Sequence, residues 1–163
     1  MLFPSLNFVV FFASVFTLAW LTHRRTVLWK SVLVLASTVF YGWWSLSFLL
    51  LLLGNVFLNF CFGFALSKYD HAKKAILALG IFANLGVLAI FKYYKFFYIN
   101  FIEAFPQLSG AMPALELVLP IGISFYTFQG ISYVIDIYRN EIKARNLLDV
   151  MCYQMFFPQL VAG

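Results

Sequence analysis

An uncharged run of thirty-seven residues, from Ser31 to Ser67, most constrains the fold of this chain. As one α-helix the run would extend for about 55 Å, whereas the hydrocarbon core of a bilayer is about 30 Å thick. The run must therefore fold back on itself. Residues 42–45, GWWS, offer the turn, because tryptophan side chains favour the membrane–water interface. Two consecutive membrane-spanning helices are predicted on either side of it.

The whole chain has the composition of a membrane protein. Hydrophobic residues make up 64% of its 163 residues and charged residues 10%, against about 25% charged residues in soluble domains. A soluble core of this composition would expose too much apolar surface. We predict an all-α, polytopic integral membrane protein that forms a single helical bundle. About five spans are predicted, over residues 2–22, 27–43, 46–66, 75–91 and 118–138, with an interfacial amphipathic helix over 92–105 and a short helix over 146–157 that Pro158 limits.

The basic residues predict how the spans are oriented. Nine of the eleven lie in three segments, one containing Arg24 and Arg25, one over Lys68–Lys74 and one over Arg139–Arg145. The positive-inside rule places these segments in the cytoplasm and the N-terminus outside, and we expect the plasma (inner) membrane. The net charge of +5 is explained by this topology and by anionic lipid headgroups, so no nucleic-acid partner is expected.

A polar stripe interrupts the last predicted span, in which Pro120 is expected in the first turn. The rest of the helix surface is apolar. Because lipid cannot form hydrogen bonds with the polar side chains of the stripe, the stripe is expected to face a bundle interior or an aqueous cavity. Two interpretations of the stripe are open: it forms hydrogen bonds to neighbouring helices, or it lines a path for a solute. Periodicity alone favours interhelical hydrogen bonding. The side chains at helical spacing i, i+3, i+4, i+7 and i+11 are Gln129, Ser132, Tyr133, Asp136 and Asn140.

Other polar side chains give no catalytic pattern. Asn55 and Asn59 lie one helical turn apart in the third span, where we expect hydrogen bonds to a neighbouring helix. Asn84 in the fourth span, with Gly80 and Gly86, is interpreted as a packing feature. The two cysteines and two histidines lack the spacing of metal ligands, and no phosphate-binding or nucleophile motif occurs. We therefore predict no bound metal and no disulfide, and the residues themselves name no reaction.

Four stretches carry a resemblance to a known family. They are FYGWW at 40–44, FANLGVLAIFKYYKFF at 82–97, LPIGISFYTFQGISYVIDIYRNE at 119–141 and FPQLVAG at 157–163. In this order they resemble the membrane-bound O-acyltransferase family, and within it the alginate O-acetyltransferase branch, which is also similar to the D-alanyl transfer protein of teichoic acid. The resemblance covers essentially the whole chain, and the last two stretches are its most specific parts.

The resemblance implies acyl transfer to hydroxyls of an exported polysaccharide or to an intermediary protein outside the membrane. A membrane tunnel would connect a cytoplasmic acyl donor, acetyl-CoA or another activated carrier, with the outward-side acceptor, and no cofactor would be bound. The family's key histidine lies in a later span, and no histidine follows His71 here. The resemblance therefore implies the N-terminal part of a longer enzyme, inactive alone and without a catalytic residue of its own.

The resemblance also implies supporting roles for six residues. Gln129, Ser132, Asp136 and Gln159 would line the tunnel, Gln159 at a helix broken beside Pro158. Arg139 and Lys143 would hold the cytoplasmic mouth or attract an anionic donor. The alternative is a non-enzymatic polytopic membrane protein, either a subunit of a transporter or channel or an assembly partner.

Overall fold

The computed structural model describes residues 6–105, 120 and 122–162. In this part of the chain the secondary structure is helical throughout and includes no strand, which confirms the all-α class. A short 3₁₀ turn over Asp70–Ala72 joins two of the helices. The α-helices are α1 Leu6–Thr22, α2 Thr26–Trp44, α3 Leu46–Lys68, α4 Lys73–Ala104, α5 Ile123–Tyr138, α6 Leu147–Gln154 and α7 Phe157–Ala162.

The long helices have the character of membrane spans. Among the described residues three are long and apolar enough to cross a bilayer, namely α2, α3 and the stretch Asp70–Tyr94 that includes most of α4. Helix α1 is apolar but shorter, at 17 residues, and α5 has 16. The chain is a multi-pass membrane protein, as its composition predicts.

The fold-back between α2 and α3 lies where the sequence predicts it. Ser45 adopts an extended conformation, with φ −161° and ψ 125°, and separates the two helices. Trp43 and Trp44 end α2 with exposed rings, which suits an interfacial position. The prediction of two spans within the uncharged run is confirmed.

Helix α4 is longer than the predicted span. It continues for 32 residues without a break, which corresponds to about 48 Å. Residues 92–105, predicted as a separate interfacial helix, form the end of this helix. The reason is that no glycine or proline occurs between residues 87 and 104 to interrupt it.

Proline and glycine set the boundaries of the last three helices differently from the prediction. Helix α5 begins at Ile123 rather than near residue 118, so Pro120 precedes the helix instead of lying in its first turn. Gly122 caps it with φ 74°, and a Cβ there would lie 2.8 Å from the carbonyl oxygen of Leu160; only glycine fits. Residues 106–113, whose proline, serine and glycine content indicates a loop, lie outside the described residues.

The predicted helix over 146–157 is α6 and ends already at Gln154; after Met155 and Phe156 a further helix, α7, begins at Phe157. Pro158 does not end a helix but lies in the first turn of α7, where its missing N–H breaks no helical hydrogen bond. Asn146 begins α6, because its side-chain oxygen accepts a hydrogen bond from the Asp149 backbone N–H at 2.9 Å.

Helix α3 lies at the centre of the bundle. It packs against α2, α4, α5 and α6, while α5 also packs against α4. Helix α6 contacts both α2 and α3, so it enters between them, and α7 continues beside α2. Helix α1 packs mainly against α2 at the periphery.

Candidate functional site

The three basic segments meet at one end of the bundle, hereafter the basic end. Lys30, which follows the α1–α2 turn, forms an ion pair with Asp149 in α6, with Nζ and Oδ1 2.6 Å apart. Tyr138 at the end of α5 lines the same surface cavity as residues 70–75 of the α3–α4 turn. This clustering matches the charge pattern from which the topology was predicted; the side of the membrane stays a prediction.

A cavity of about 570 Å³ opens at the basic end between α5, α6 and the start of α2. We call it the polar pocket. It has cationic and carboxylate groups in its lining, together with a thiol and a phenol. The chemically relevant lining residues are Lys30, Asp136, Arg145, Asp149, Cys152 and Tyr153.

Of the two carboxylates among the described lining residues of the polar pocket, Asp149 forms an ion pair and Asp136 does not. Lys30 and Asp149 bind each other, and their side chains are 25% and 19% exposed. Asp136 accepts a hydrogen bond from the Ser132 hydroxyl at 3.4 Å and forms no ion pair with a described side chain. The backbone N–H of Arg145 donates to the Tyr133 hydroxyl at 3.2 Å, and both residues line the pocket.

The polar stripe of α5 divides between two environments. Gln129 and Tyr133 are buried, and the Gln129 Nε2 donates to the backbone oxygen of Tyr153 at 3.5 Å. Ser132 is exposed, and Asp136 lies at the polar pocket. Asn140 lies beyond the end of α5, with φ 61°, so the helical face predicted for it does not extend that far.

The remaining predicted site residues lie at the surface. Arg139 and Lys143 are exposed near the polar pocket, and Arg139 is 3.9 Å from Glu141. Gln159 is exposed on α7 and does not line the polar pocket. Their roles in a tunnel or its mouth stay predictions.

Four buried amide side chains form a network in the bundle interior, which we call the polar joint: Asn55 and Asn59 of α3, Asn84 of α4 and Gln154 of α6. Asn84 donates to the Asn59 Oδ1 at 2.8 Å, and Asn55 donates to the Asn84 Oδ1 at 3.0 Å. The interhelical hydrogen bonds predicted for Asn55 and Asn59 are confirmed. Gln154, which donates to the Asn55 Oδ1 at 3.3 Å, was not predicted.

Gly130 allows α5 to approach the polar joint. A Cβ at this position would lie 2.1 Å from the Asn59 Nδ2 and 2.8 Å from the Gln154 Nε2. No side chain fits at these distances unless the network moves. The glycine therefore brings the α5 backbone next to the amide groups, and the Gln154 Nε2 donates to the Tyr126 backbone oxygen at 3.1 Å.

The break between α6 and α7 lies inside the bundle. Gln154, just before it, is fully buried, and the Phe157 N–H after it donates to the Ser37 hydroxyl at 3.2 Å. Ser37 and Asn55 both lie near the middle of their spans, so the break is at mid-membrane depth. Non-helical backbone is tolerated at that depth only where protein or an aqueous cavity surrounds it.

Polar atoms continue from the polar pocket past this break. Tyr153 lines the pocket, and its backbone oxygen accepts a hydrogen bond from Gln129, while Gln154 donates to the backbone oxygen of Tyr126. We call this row the polar path. Buried polar atoms without a partner cost about 1–3 kcal/mol each and indicate sites for water or a ligand. Such atoms in the described part of the chain are the hydroxyls of Tyr41, Tyr126 and Thr127 and the side-chain carbonyls of Gln129 and Gln154.

Comparison with known proteins identifies the class. The chain is 39% identical over its full length to a probable alginate O-acetylase of Pseudomonas aeruginosa, of which it covers 32%. It is 37% identical over its full length to a probable alginate O-acetylase of Azotobacter vinelandii, of which it covers 34%. It is 34% identical, over 82% of its length, to a peptidoglycan O-acetyltransferase of Helicobacter pylori, of which it covers 30%.

The all-α membrane bundle and similarity of this extent agree with the resemblance to the membrane-bound O-acyltransferase family that the sequence predicts. The relatives along its full length are probable alginate O-acetylases, as the sequence resemblance predicts. The chain spans about a third of the length of the curated relatives it matches. No protein-family model and no solved structure matches it.

Proposed function

We propose that this chain forms part of an O-acyltransferase that moves acetyl groups from a cytoplasmic donor to hydroxyls of an exported polysaccharide. The names of its relatives, alginate O-acetylase and peptidoglycan O-acetyltransferase, support a polysaccharide acceptor. The observation that carries the proposal is the polar path, because a helix break and unpartnered buried polar atoms together suit a route for a polar group through a membrane protein.

In this proposal the polar pocket is the entrance for the donor, and the basic end faces the cytoplasm of a cell bounded by its plasma (inner) membrane. Acetyl-CoA and other activated carriers are anionic. Arg145 lines the entrance, and Lys143 supplies a further exposed positive charge two residues before it, whereas Lys30 is paired with Asp149 and Arg139 lies 3.9 Å from Glu141. Asp136 lines the entrance, and the Ser132 hydroxyl donates a hydrogen bond to it.

Beyond the entrance, the amides and phenols of the polar path orient the transferred group. Gln129 and Gln154 offer both donors and acceptors in a medium of low dielectric constant, where a fixed dipole acts strongly on a developing oxyanion. Amides and phenols are not bases at neutral pH, so the base that deprotonates the acceptor hydroxyl lies outside the polar path. We assign Gln159, on α7 past the helix break, to the acceptor side.

The test is acetyl transfer by the complete enzyme in membranes, measured per amount of folded protein. We expect Gln129→Leu and Gln154→Leu each to reduce transfer at least tenfold, because both remove a polar group from the path without adding bulk. Asn100→Leu, which changes an exposed amide on α4, is the control and retains transfer. Full transfer by both glutamine variants would remove the polar path from the mechanism.

A further inference from the structure

A second cavity, of about 270 Å³, lies between α1, α2 and the start of α7. We call it the apolar groove. Aromatic and aliphatic side chains form nearly all of its surface, and His23 is the single ionisable residue among its described lining residues. The residues that define it are Phe12, Phe16, Ala19, Trp20, Trp29 and Phe157.

Unpaired positive charge lies at the end of the apolar groove. His23 closes this end, its ring 5.7 Å from that of Trp20, and Arg24 and Arg25 follow it in the α1–α2 turn. All three are exposed, and neither arginine forms an ion pair with a described side chain. Lys30, in the same segment, is paired with Asp149. A basic residue in each of the other two segments also has a carboxylate partner: Lys73 binds Asp70, and Arg139 lies 3.9 Å from Glu141.

The shape and charge of this site select one kind of occupant. A partner helix, about 10–12 Å wide with its side chains, is too wide for a cavity of 270 Å³. An extended acyl chain fits, because Phe12 and Trp20 are eight residues apart and mark a groove about 12 Å long. The guanidinium groups at its end match a phosphate, which they bind through paired hydrogen bonds.

We propose that the apolar groove binds one acyl chain of an anionic phospholipid whose phosphate lies on His23, Arg24 and Arg25. The lipid joins α1 to the start of α7, two elements that otherwise meet through ring contacts such as Phe11 with Phe157, 5.4 Å between centroids. Basic residues at the cytoplasmic ends of membrane helices are suited to anionic headgroups. The inference is independent of the proposed acyl transfer.

Native mass spectrometry of the purified protein tests the proposal, with phosphatidylglycerol and phosphatidylcholine of identical acyl chains as probes. We expect one phosphatidylglycerol to stay bound and to raise the unfolding temperature, and phosphatidylcholine to bind at least tenfold more weakly. Glycerol phosphate without acyl chains is expected not to bind. Equal retention of both lipids, binding of glycerol phosphate alone, or a dimer in place of a lipid adduct would overturn the proposal.

Two matched pairs of variants locate the site. Ala19→Trp fills the apolar groove and is expected to abolish lipid retention, while Ala13→Trp, on the exposed face of the same helix, retains it. Arg24→Gln with Arg25→Gln is expected to lower the preference for phosphatidylglycerol at least tenfold. Lys68→Gln with Lys74→Gln, also at the basic end, leaves it unchanged.

The arginine variant decides the outcome if Ala19→Trp fails to fold, because Arg24 and Arg25 are exposed and outside the core. An unchanged preference for phosphatidylglycerol in that variant, or an equal loss in the lysine control, would overturn the headgroup assignment.

Discussion

The polar joint and the attachment of α1 hold helices together by different means. In the polar joint, α3, α4, α5 and α6 meet through amide hydrogen bonds of 2.8–3.3 Å and the close approach at Gly130. Helix α1 meets the rest through rings, such as Phe11 against Phe40 with centroids 6.1 Å apart. Lipid tails are as apolar as these rings, so apolar contact alone gives little preference for one arrangement. The difference indicates that the polar joint specifies how α3, α4, α5 and α6 are aligned, whereas the ring contacts of α1 do not specify its position as strictly.

The largest effect is expected from Gly130→Ala. The added Cβ would overlap the Asn59 amide, and because overpacking costs about 1–3 kcal/mol we expect a loss near the upper end of that range. Gly86→Ala in α4 is the control: a Cβ there has no neighbour within 4 Å, and alanine favours a helix by about 1 kcal/mol. Unfolding in detergent monitored by circular dichroism measures both. Equal stability of the two variants would contradict the close approach.

The second largest effect on stability is expected in the polar joint. Asn59→Leu removes both hydrogen bonds between Asn59 and Asn84, and Asn84 keeps only its bonds to Asn55 and the Gly80 carbonyl oxygen. We expect a loss of about 2 kcal/mol in the free energy of unfolding. Asn100→Leu changes an exposed amide that binds only its own helix and is expected to stay within about 0.5 kcal/mol of the parent. The same unfolding measurement applies, and a neutral Asn59 variant would argue that the polar joint specifies nothing.

The third effect is at the polar pocket. Lys30→Met leaves Asp149 unpaired in a half-buried site, and we expect a loss of about 1 kcal/mol. The charge swap Lys30→Asp with Asp149→Lys is expected to recover part of it. Recovery is partial because Asp149 lies in the first turn of α6, where the helix dipole favours a carboxylate over a cation. Additive losses in the double variant would show that the pair contributes no coupling.

The smallest effect is expected at α1. Phe11→Leu removes ring contacts with Phe40 and Phe157, which are worth about 0.5–1 kcal/mol in total beyond their buried area. Phe82→Leu, on an exposed ring of α4, is the control and is expected to be neutral. A loss at Phe11 as large as that at Asn59 would reverse the comparison between the two regions.

Composition and periodicity predict the features of this fold that the lipid bilayer imposes. The uncharged run from Ser31 to Ser67 predicts two spans and their turn, because the bilayer limits how far an apolar helix extends. The same reasoning correctly gives Asn55 and Asn59 a hydrogen-bond partner on a neighbouring helix, since an amide in an apolar span needs one.

The break between α6 and α7 depends on tertiary contacts and was not predictable in the same way. Pro158 indicates a helix boundary, but it starts α7 rather than ending α6. Which glutamine is buried depends on where the chain breaks, so Gln154 lies in the polar joint and Gln159 at the surface. Ser37, which binds the backbone at the break, has no distinguishing pattern in the sequence of α2.

The two native cysteines provide the most direct test of the proposed donor entrance. Cys152 lines the polar pocket, while Cys61 is exposed on the surface of α3, within a span. A charged methanethiosulfonate reagent needs a hydrated thiol that ionises. Cys61→Ser and Cys152→Ser variants assign the signal of each thiol. We predict that the reagent modifies Cys152 in inside-out membrane vesicles and leaves Cys61 unmodified. Modification of Cys152 only in right-side-out vesicles, or in neither orientation, would contradict a water-filled entrance that faces the cytoplasm.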